Sequence, residues 1–267
     1  MVNFFEPNPK VLCHDAANHN NEKAIAKEKV QVDRHSSRRL TWRAGSLLCL
    51  ALLLGGCATT GNTPGDPLEG FNRGVYAFNK TVDRALLKPA TQLYRAVTPD
   101  PMESAVSNFF ANIRDVIVAA NDLLQAKPTA AFEDGARVVF NSTLGLGGLI
   151  DIASGFGIER HEEDFGQTLG RWGIDSGPYL VLPLFGPNSV RDTVGLGVDT
   201  FVFDPVFYIN DVATRNGLIG GRTIDKRARL MKAEKILKQA ALDEYSFVRD
   251  AYLQRRKHLI ENGDTTE

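Results

Sequence analysis

Asp66-Pro67-Leu68-Glu69-Gly70-Phe71-Asn72-Arg73 is the stretch where this chain begins to read as folded. It offers a carboxylate for an N-cap, proline at the first helical position and glutamate at the third, a complete helix start. Phe71, Val75, Phe78, Val82 and Leu86 follow at spacings of four, three, four and four, the apolar stripe of a helix that Lys88-Pro89 is expected to end. Asp100-Pro101-Met102-Glu103 repeats the device. It opens a helix carrying Val106, Phe109, Phe110, Ile113, Ile117 and Leu124, up to Lys127-Pro128. A third helix, roughly 129–141, gathers Phe132, Ala136, Val139 and Phe140. The residues after the two cap motifs differ, so they are not an internal repeat. Near the C-terminus Leu230, Ala233, Leu237 and Ala240 form one stripe, and Tyr245, Val248, Tyr252 and Leu259 continue it. Strand signals are scarce, Tyr179–Leu182 being the best. The expected fold class is mainly α.

Ahead of this domain, Leu54-Gly55-Gly56-Cys57 closes the apolar run 47–54, which follows Arg38, Arg39 and Arg43. A positive region, a short apolar core and two small residues before a cysteine are the layout of a cleaved lipoprotein signal. The run is far shorter than the roughly 20 residues a membrane-spanning helix needs. On this reading Cys57 becomes the mature N-terminus, with diacylglycerol on its thiol and a further acyl chain on its amine. One chain binds a membrane marginally, whereas two or more anchor stably. A buried strand ending in Gly-Gly-Cys is the plainer alternative. The chain then divides into an extension, 1–37, a signal, 38–56, a lipidated tether, 57–65, a folded domain, 66–263, and a tail, 264–267. The extension is polar and aperiodic and reads as lying upstream of the true start, a cytoplasmic extension being the other reading. Ser37-Arg38-Arg39-Leu40 faintly resembles a twin-arginine signal, but the general secretory route fits better. Ala58, where an acidic residue would favour inner-membrane retention, permits sorting to the outer membrane.

Composition narrows the chemistry. Cys13 and Cys49 lie in the removed part, which leaves Cys57 alone, its sulfur taken by lipid. No disulfide, thiol nucleophile or cysteine metal site is expected. From Cys57 onward there are 23 Lys/Arg against 27 Asp/Glu, an acidic balance that argues against nucleic-acid binding. His161-Glu162-Glu163-Asp164 lacks the second histidine of a zinc-protease motif, since Phe165 stands in the fifth place. A hydrated acidic loop is the reading preferred over magnesium or calcium, so no metal is assigned. No serine lies in a G-x-S-x-G elbow, and 145–150 fails the dinucleotide fingerprint at its last glycine. No catalytic residue and no cofactor beyond the lipid on Cys57 is expected, and the chain reads as a non-enzyme.

Three apolar blocks stand out. The first, 144–158, holds Gly145, Gly147, Gly148, Gly155 and Gly157, with Asp151 as its only charge. The second, 176–190, has no charge and three prolines; the third, 194–209, is broken by Asp199 and Asp204-Pro205. Each is too short or too interrupted to cross a bilayer as a helix. They form either the core of a helical domain or a membrane-facing surface. The basic segment 222–238 carries seven cations against Asp225 and Glu234, either a solvated helix face or a contact for lipid phosphates.

Read in order, these residues resemble the MlaA (VacJ) family of outer-membrane lipoproteins. The resemblance rests on Asp66 to Arg73, Ser107-Asn108-Phe109, Asn141 to Gly148 with Ile150-Asp151, and Phe165-Gly166-Gln167-Thr168-Leu169-Gly170. It continues through Gly177-Pro178-Tyr179, Leu182-Pro183, Gly186, Arg191-Asp192 and Tyr252-Leu253-Gln254-Arg255-Arg256. The family implies a single ring-shaped helical domain, tethered by its lipid and seated in the inner leaflet of the outer membrane around an amphipathic channel. It implies removal of phospholipid from the outer leaflet and transfer to a periplasmic carrier protein, beside trimeric porins. The alternatives are a lipoprotein phospholipase using Ser142 or Ser154 beside His161, and a non-transporting envelope tether or porin-associated structural protein. A phospholipid crossing such a body needs a polar route for its head group, and irregular backbone at membrane depth must line a cavity or be buried in protein. Gly145, Gly147 and Gly148 are therefore candidates for the lipid path. Asp151, Arg171 and Asp175 are candidates for its mouths, with capping or ion-pair roles as the other reading.

Overall fold

In the computed structural model the described residues are 66–261, without the side chains of 232 and 235–240; Cys57, the signal, the tether and the tail lie outside them. Helix α1 (Glu69–Val82) runs through a π-helical turn (Asp83–Leu87) into α2 (Lys88–Val97). Lys88-Pro89 therefore does not end the helix, contrary to the sequence reading. The wider turn, in which Lys88 N–H bonds to Asp83 O, accommodates a ring that would otherwise collide with a carbonyl one turn back. Helix α3 (Asp100–Leu124) starts and ends where the sequence places it, and α4 (Pro128–Thr143) outlasts its expected span by a few residues. Neither proline-led start uses its aspartate as a cap, however. Pro99 is the N-cap of α3, with no side-chain bond. Asp66 is wholly buried and accepts hydrogen bonds from Asn72 Nδ2 at 2.8 Å and from the Tyr245 hydroxyl.

Beyond the α3–α4 hairpin come α5 (Ile152–Gly155) and α6 (Phe165–Arg171). Strands β1 (Tyr179–Leu182) and β2 (Gly186–Ser189) pair antiparallel with Tyr179 opposite Ser189. The expected strand is present; its partner, rich in glycine, proline and asparagine, carries no strand propensity and was not expected. Side-chain amides of α1 hold β1 in place. Asn72 donates to Tyr179 O at 3.0 Å and accepts from Val181 N at 2.8 Å, and Asn79 bonds Leu182 O and Leu184 N one strand-length on. Helix α7 (Val190–Val198) leads through a second π turn (Asp199–Phe203) and a 3-10 turn (Pro205–Tyr208) to α8 (Val212–Ala240) and α9 (Glu244–Glu261). The architecture is mainly α.

Its distribution of polarity is inverted. Among the described residues, ten buried side chains are hydrophobic and twenty-two are polar or charged, while twenty-seven large hydrophobics are exposed. Soluble interiors bury Ile, Leu, Val and Phe first and almost never bury unpaired charge. One small aromatic core, Tyr179, Val181 and Tyr245 with Val75, Tyr76, Tyr252 and Leu253 against it, locks the β hairpin to α1 and α9. Elsewhere polar side chains predominate in the interior, most of them hydrogen-bonded to one another. No helix among the described residues is long and apolar enough to cross a membrane.

Candidate functional site

The polar interior is built from stripes that face inward. On α3 the buried positions include Asn112, Asp115, Asn121 and Asp122; on α4 they are Asp134, Arg137 and Asn141 with two alanines. Arg137 is fully buried and reaches Asp115 at 3.5 Å and both oxygens of Asp151 at 2.8 and 2.9 Å. Arg160 closes the group on Asp115 at 3.2 Å. A second group joins Asn121, Thr168 and Asp199, and a third joins Arg256 to Asp164 and Asp192 at 2.9 Å each. Satisfied in this way, charges are tolerated inside, and removing one partner strands the rest.

The glycine turn after α4 shows how the polar inside and the apolar outside are made together. A Cβ on Gly145 would lie 2.2 Å from Ile150 O and 2.5 Å from Asn141 O. Gly148 has φ +92°, and a Cβ there would meet Asn112 Nδ2 at 2.8 Å; Gly147, at φ +73°, faces open space. The backbone folds inward onto Asn141, whose Oδ1 accepts from the amides of Ile152 and Ala153. That leaves Leu144, Leu146, Leu149, Ile150 and Phe156 pointing outward. The other two apolar blocks do the same with Leu184 and Phe185, and with Val194, Phe201, Val202 and Tyr208. Of the two readings open for these blocks, the exposed one holds for these side chains.

Asp151 caps α5 and pairs with Arg137, a capping and ion-pair role. Burial opposes its ionisation, but hydrogen bonds from the Ser154 hydroxyl and amide and from Arg137 outweigh it, holding the carboxyl at about 2. Arg171 and Asp175 are both exposed, and neither side chain has a hydrogen bond or ion pair among the described residues. No such bond joins them to the glycine turn.

The basic segment supplies groups that sequence reasoning did not single out. Arg222, Lys226 and Arg229 share one face of α8 at spacings of four and three. Arg222 pairs with Asp204 at 2.7 Å and Arg229 with Asp225 at 2.9 Å, while Lys226 makes no side-chain hydrogen bond or ion pair among the described residues and Arg114 acts only at longer range, on Asp199. Lys226 is reached by solvent, yet surrounding protein first, then the charges of Arg114, Arg229, Arg222 and Arg255, push its ammonium below the ordinary range. Lys226 and the arginines around it make this a cationic surface. Beside it, a cleft of about 490 Å³ is lined by Arg95, Asp100, Glu103, Ser107, Asn108 and Arg229. The helical spacing of the cations was available in sequence; Arg114, more than a hundred residues away, was not.

The serine–histidine pair of the hydrolase alternative does not assemble. His161 Nδ1 faces Asp134 at 2.7 Å, Ser142 Oγ accepts from Asn112, and Ser154 Oγ donates to Asp151. Neither serine is joined to His161.

A family model described as MlaA lipoprotein matches residues 64–259. The chain is 35% identical over 229 residues to the intermembrane phospholipid transport system lipoprotein MlaA of Escherichia coli strain K12, covering 83% of this chain and 90% of that one. It is 32% identical over 228 residues to the Haemophilus influenzae protein of the same description, covering 82% and 91%. An uncharacterized Rickettsia bellii protein is 31% identical over 196 residues, covering 73% and 77%. A solved chain described under "Structural basis for maintenance of bacterial outer membrane lipid asymmetry" superposes with a TM-score of 0.64 at 34% identity, covering 73% of this chain and 99% of that one.

Proposed function

The chain belongs to the MlaA lipoprotein family, and on that premise we propose that it works in intermembrane phospholipid transport. It removes phospholipid from the outer leaflet of the outer membrane and passes it to a periplasmic carrier protein, maintaining lipid asymmetry. The observation that carries this reading is the inverted polarity, with hydrophobic side chains outside and ion pairs within. A bilayer solvates such a surface as well as a protein core would, and a polar interior suits a charged head group better than an apolar one. The cationic face of Lys226 and Arg114 suits the phosphate, and the exposed apolar blocks suit the acyl chains and the surrounding leaflet.

In this reading the domain is a ring around the lipid path, held on the periplasmic face by acyl chains on Cys57, and trimeric porins are the neighbours that position it. Gly145, Gly147 and Gly148 shape one wall of the path, and Arg171 and Asp175, exposed and unpaired, stand toward its mouths. The work is transfer without bond cleavage. The test is outer-leaflet phospholipid, measured by amine-reactive labelling of intact cells that lack the protein. Wild type should restore low labelling, whereas Cys57→Ala, accumulating unprocessed, and Lys226→Glu, at normal abundance, should not. Unchanged labelling in cells lacking the protein overturns the reading, and lysolipid released by the purified protein from labelled phospholipid replaces it with hydrolysis.

A further inference from the structure

Asp122 on α3 and Asp134 on α4 are both fully buried, and His161, from the segment ahead of α6, lies against them. One ligand atom from each of the three lies within 4.8 Å of the other two. His161 Nδ1 is 2.7 Å from Asp134 Oδ2, while its Nε2 faces Glu133 at 3.7 Å. No donor among the described residues reaches either carboxylate oxygen of Asp122, whose neighbour is the carboxyl of Asp134. Cations on the same elements are directed to other acids: Lys127 to Glu163 at 2.7 Å, and Arg137 and Arg160 to Asp115 and Asp151. Two buried carboxylates face one imidazole, and among the described residues no lysine or arginine pairs with either of them. A fully buried carboxylate that no donor reaches at either oxygen calls for an occupant.

We propose that Asp122, Asp134 and His161 bind a divalent cation of the zinc or manganese class. Two carboxylates cancel its charge, and a neutral imidazole with two oxygens is a donor set for these ions rather than the all-oxygen cage of calcium. Glu133 beside Nε2 is placed to hold the tautomer that turns the Nδ1 lone pair inward. The ion links α3, α4 and the segment ahead of α6, fastening that segment to the helical hairpin. The acidic run around His161 contributes this one ligand only. Glu162 pairs with Arg255, Glu163 with Lys127 and Gln125, and Asp164 caps α6 and pairs with Arg256. The other two ligands come from separate helices, which is why no spacing motif announces the site.

The experiment uses the full-length lipoprotein in detergent, stripped with chelator and titrated with zinc chloride and, separately, manganese chloride. Calorimetry should show saturable binding of a single equivalent. At a hundred times Kd the unfolding temperature should rise by roughly 5–10 °C for a domain of this size. Asp122→Asn, which keeps the side chain's shape, and His161→Ala, at the partly exposed rim, should each abolish both effects while retaining helical circular dichroism. No saturable binding by the wild type, as expected if a shared proton satisfies the pair, overturns the proposal. So does a zinc response that persists in both variants.

Discussion

Gly147 and Gly148 are neighbours, both with positive φ, and of opposite tolerance. At Gly147 an added Cβ meets open space, so Gly147→Ala should cost only the backbone strain, about 1 kcal/mol. At Gly148 the strain is joined by a collision with Asn112, so Gly148→Ala should cost about 3 kcal/mol. Denaturant unfolding in detergent compares them, and equal losses would remove the collision from the account. The contrast also decides how a role for these glycines in lipid movement is tested: Gly147 variants keep the fold, whereas Gly148 variants confuse loss of path with loss of protein. Asp151 sets a pH dependence. Its folded pKa, about 2, lies below the 3.8 of a free aspartate, so the native state binds this proton less tightly than the unfolded chain does. The resulting stabilisation, about 2 kcal/mol, is present above pH 4 and disappears as pH falls through 2. Asp151→Asn should flatten the acid limb of stability between these values, and an unchanged limb would show that the Arg137 pairing contributes nothing there.

Helix α4 shows at the level of an element what the sequence disclosed and what it withheld. Its extent was legible to within a few residues, because Lys127-Pro128 closes the preceding helix and the 3.6-residue period runs from there to Asn141. The same period placed Phe132 and Val139 on one stripe, but periodicity identifies a stripe without saying which solvent it meets. Here the apolar stripe is exposed and Asp134, Arg137 and Asn141 face inward. A reading that assumes water outside assigns the faces the wrong way round. The clue was the spacing of three and four among those polar residues, too regular for an irregular solvated face. Likewise Pro89 reads as a helix end because the rule concerns α-helices, and a π turn evades it. The candidate site was less legible still, since Arg137, Asp115 and Asp151 meet only in the folded chain. Arg137→Leu should destabilise by about 3 kcal/mol, leaving the buried Asp115 and the half-buried Asp151 with Arg160 alone. Phe132→Lys, on the opposite face, should leave stability in detergent nearly unchanged and weaken partition into phospholipid vesicles. Vesicle flotation and thermal unfolding of both variants check the pair, and the reverse order of effects would overturn this assignment of faces.

For the whole molecule the exposed apolar blocks alter what unfolding means. The heat-capacity change of a soluble domain, about 12–15 cal/mol/K per residue, comes from apolar surface leaving a dry core for water. In this protein much of that surface already lies outside, among Leu144 to Phe156, Leu184, Phe185 and Phe201. In detergent those side chains stay in contact with hydrocarbon whether the chain is folded or not. Calorimetry of the full-length protein should therefore give less than half the soluble value per residue, and a value at the soluble norm would mean that these blocks are sequestered in a water-stable core. A small heat-capacity change makes a shallow stability curve. Cooling then removes little of the driving force, because polar pairing inside and hydrocarbon outside do not depend on hydrophobic hydration as a water-enclosed core does. The fold should tolerate cold that weakens a soluble domain of equal stability, and its weakness should lie instead in any medium without hydrocarbon.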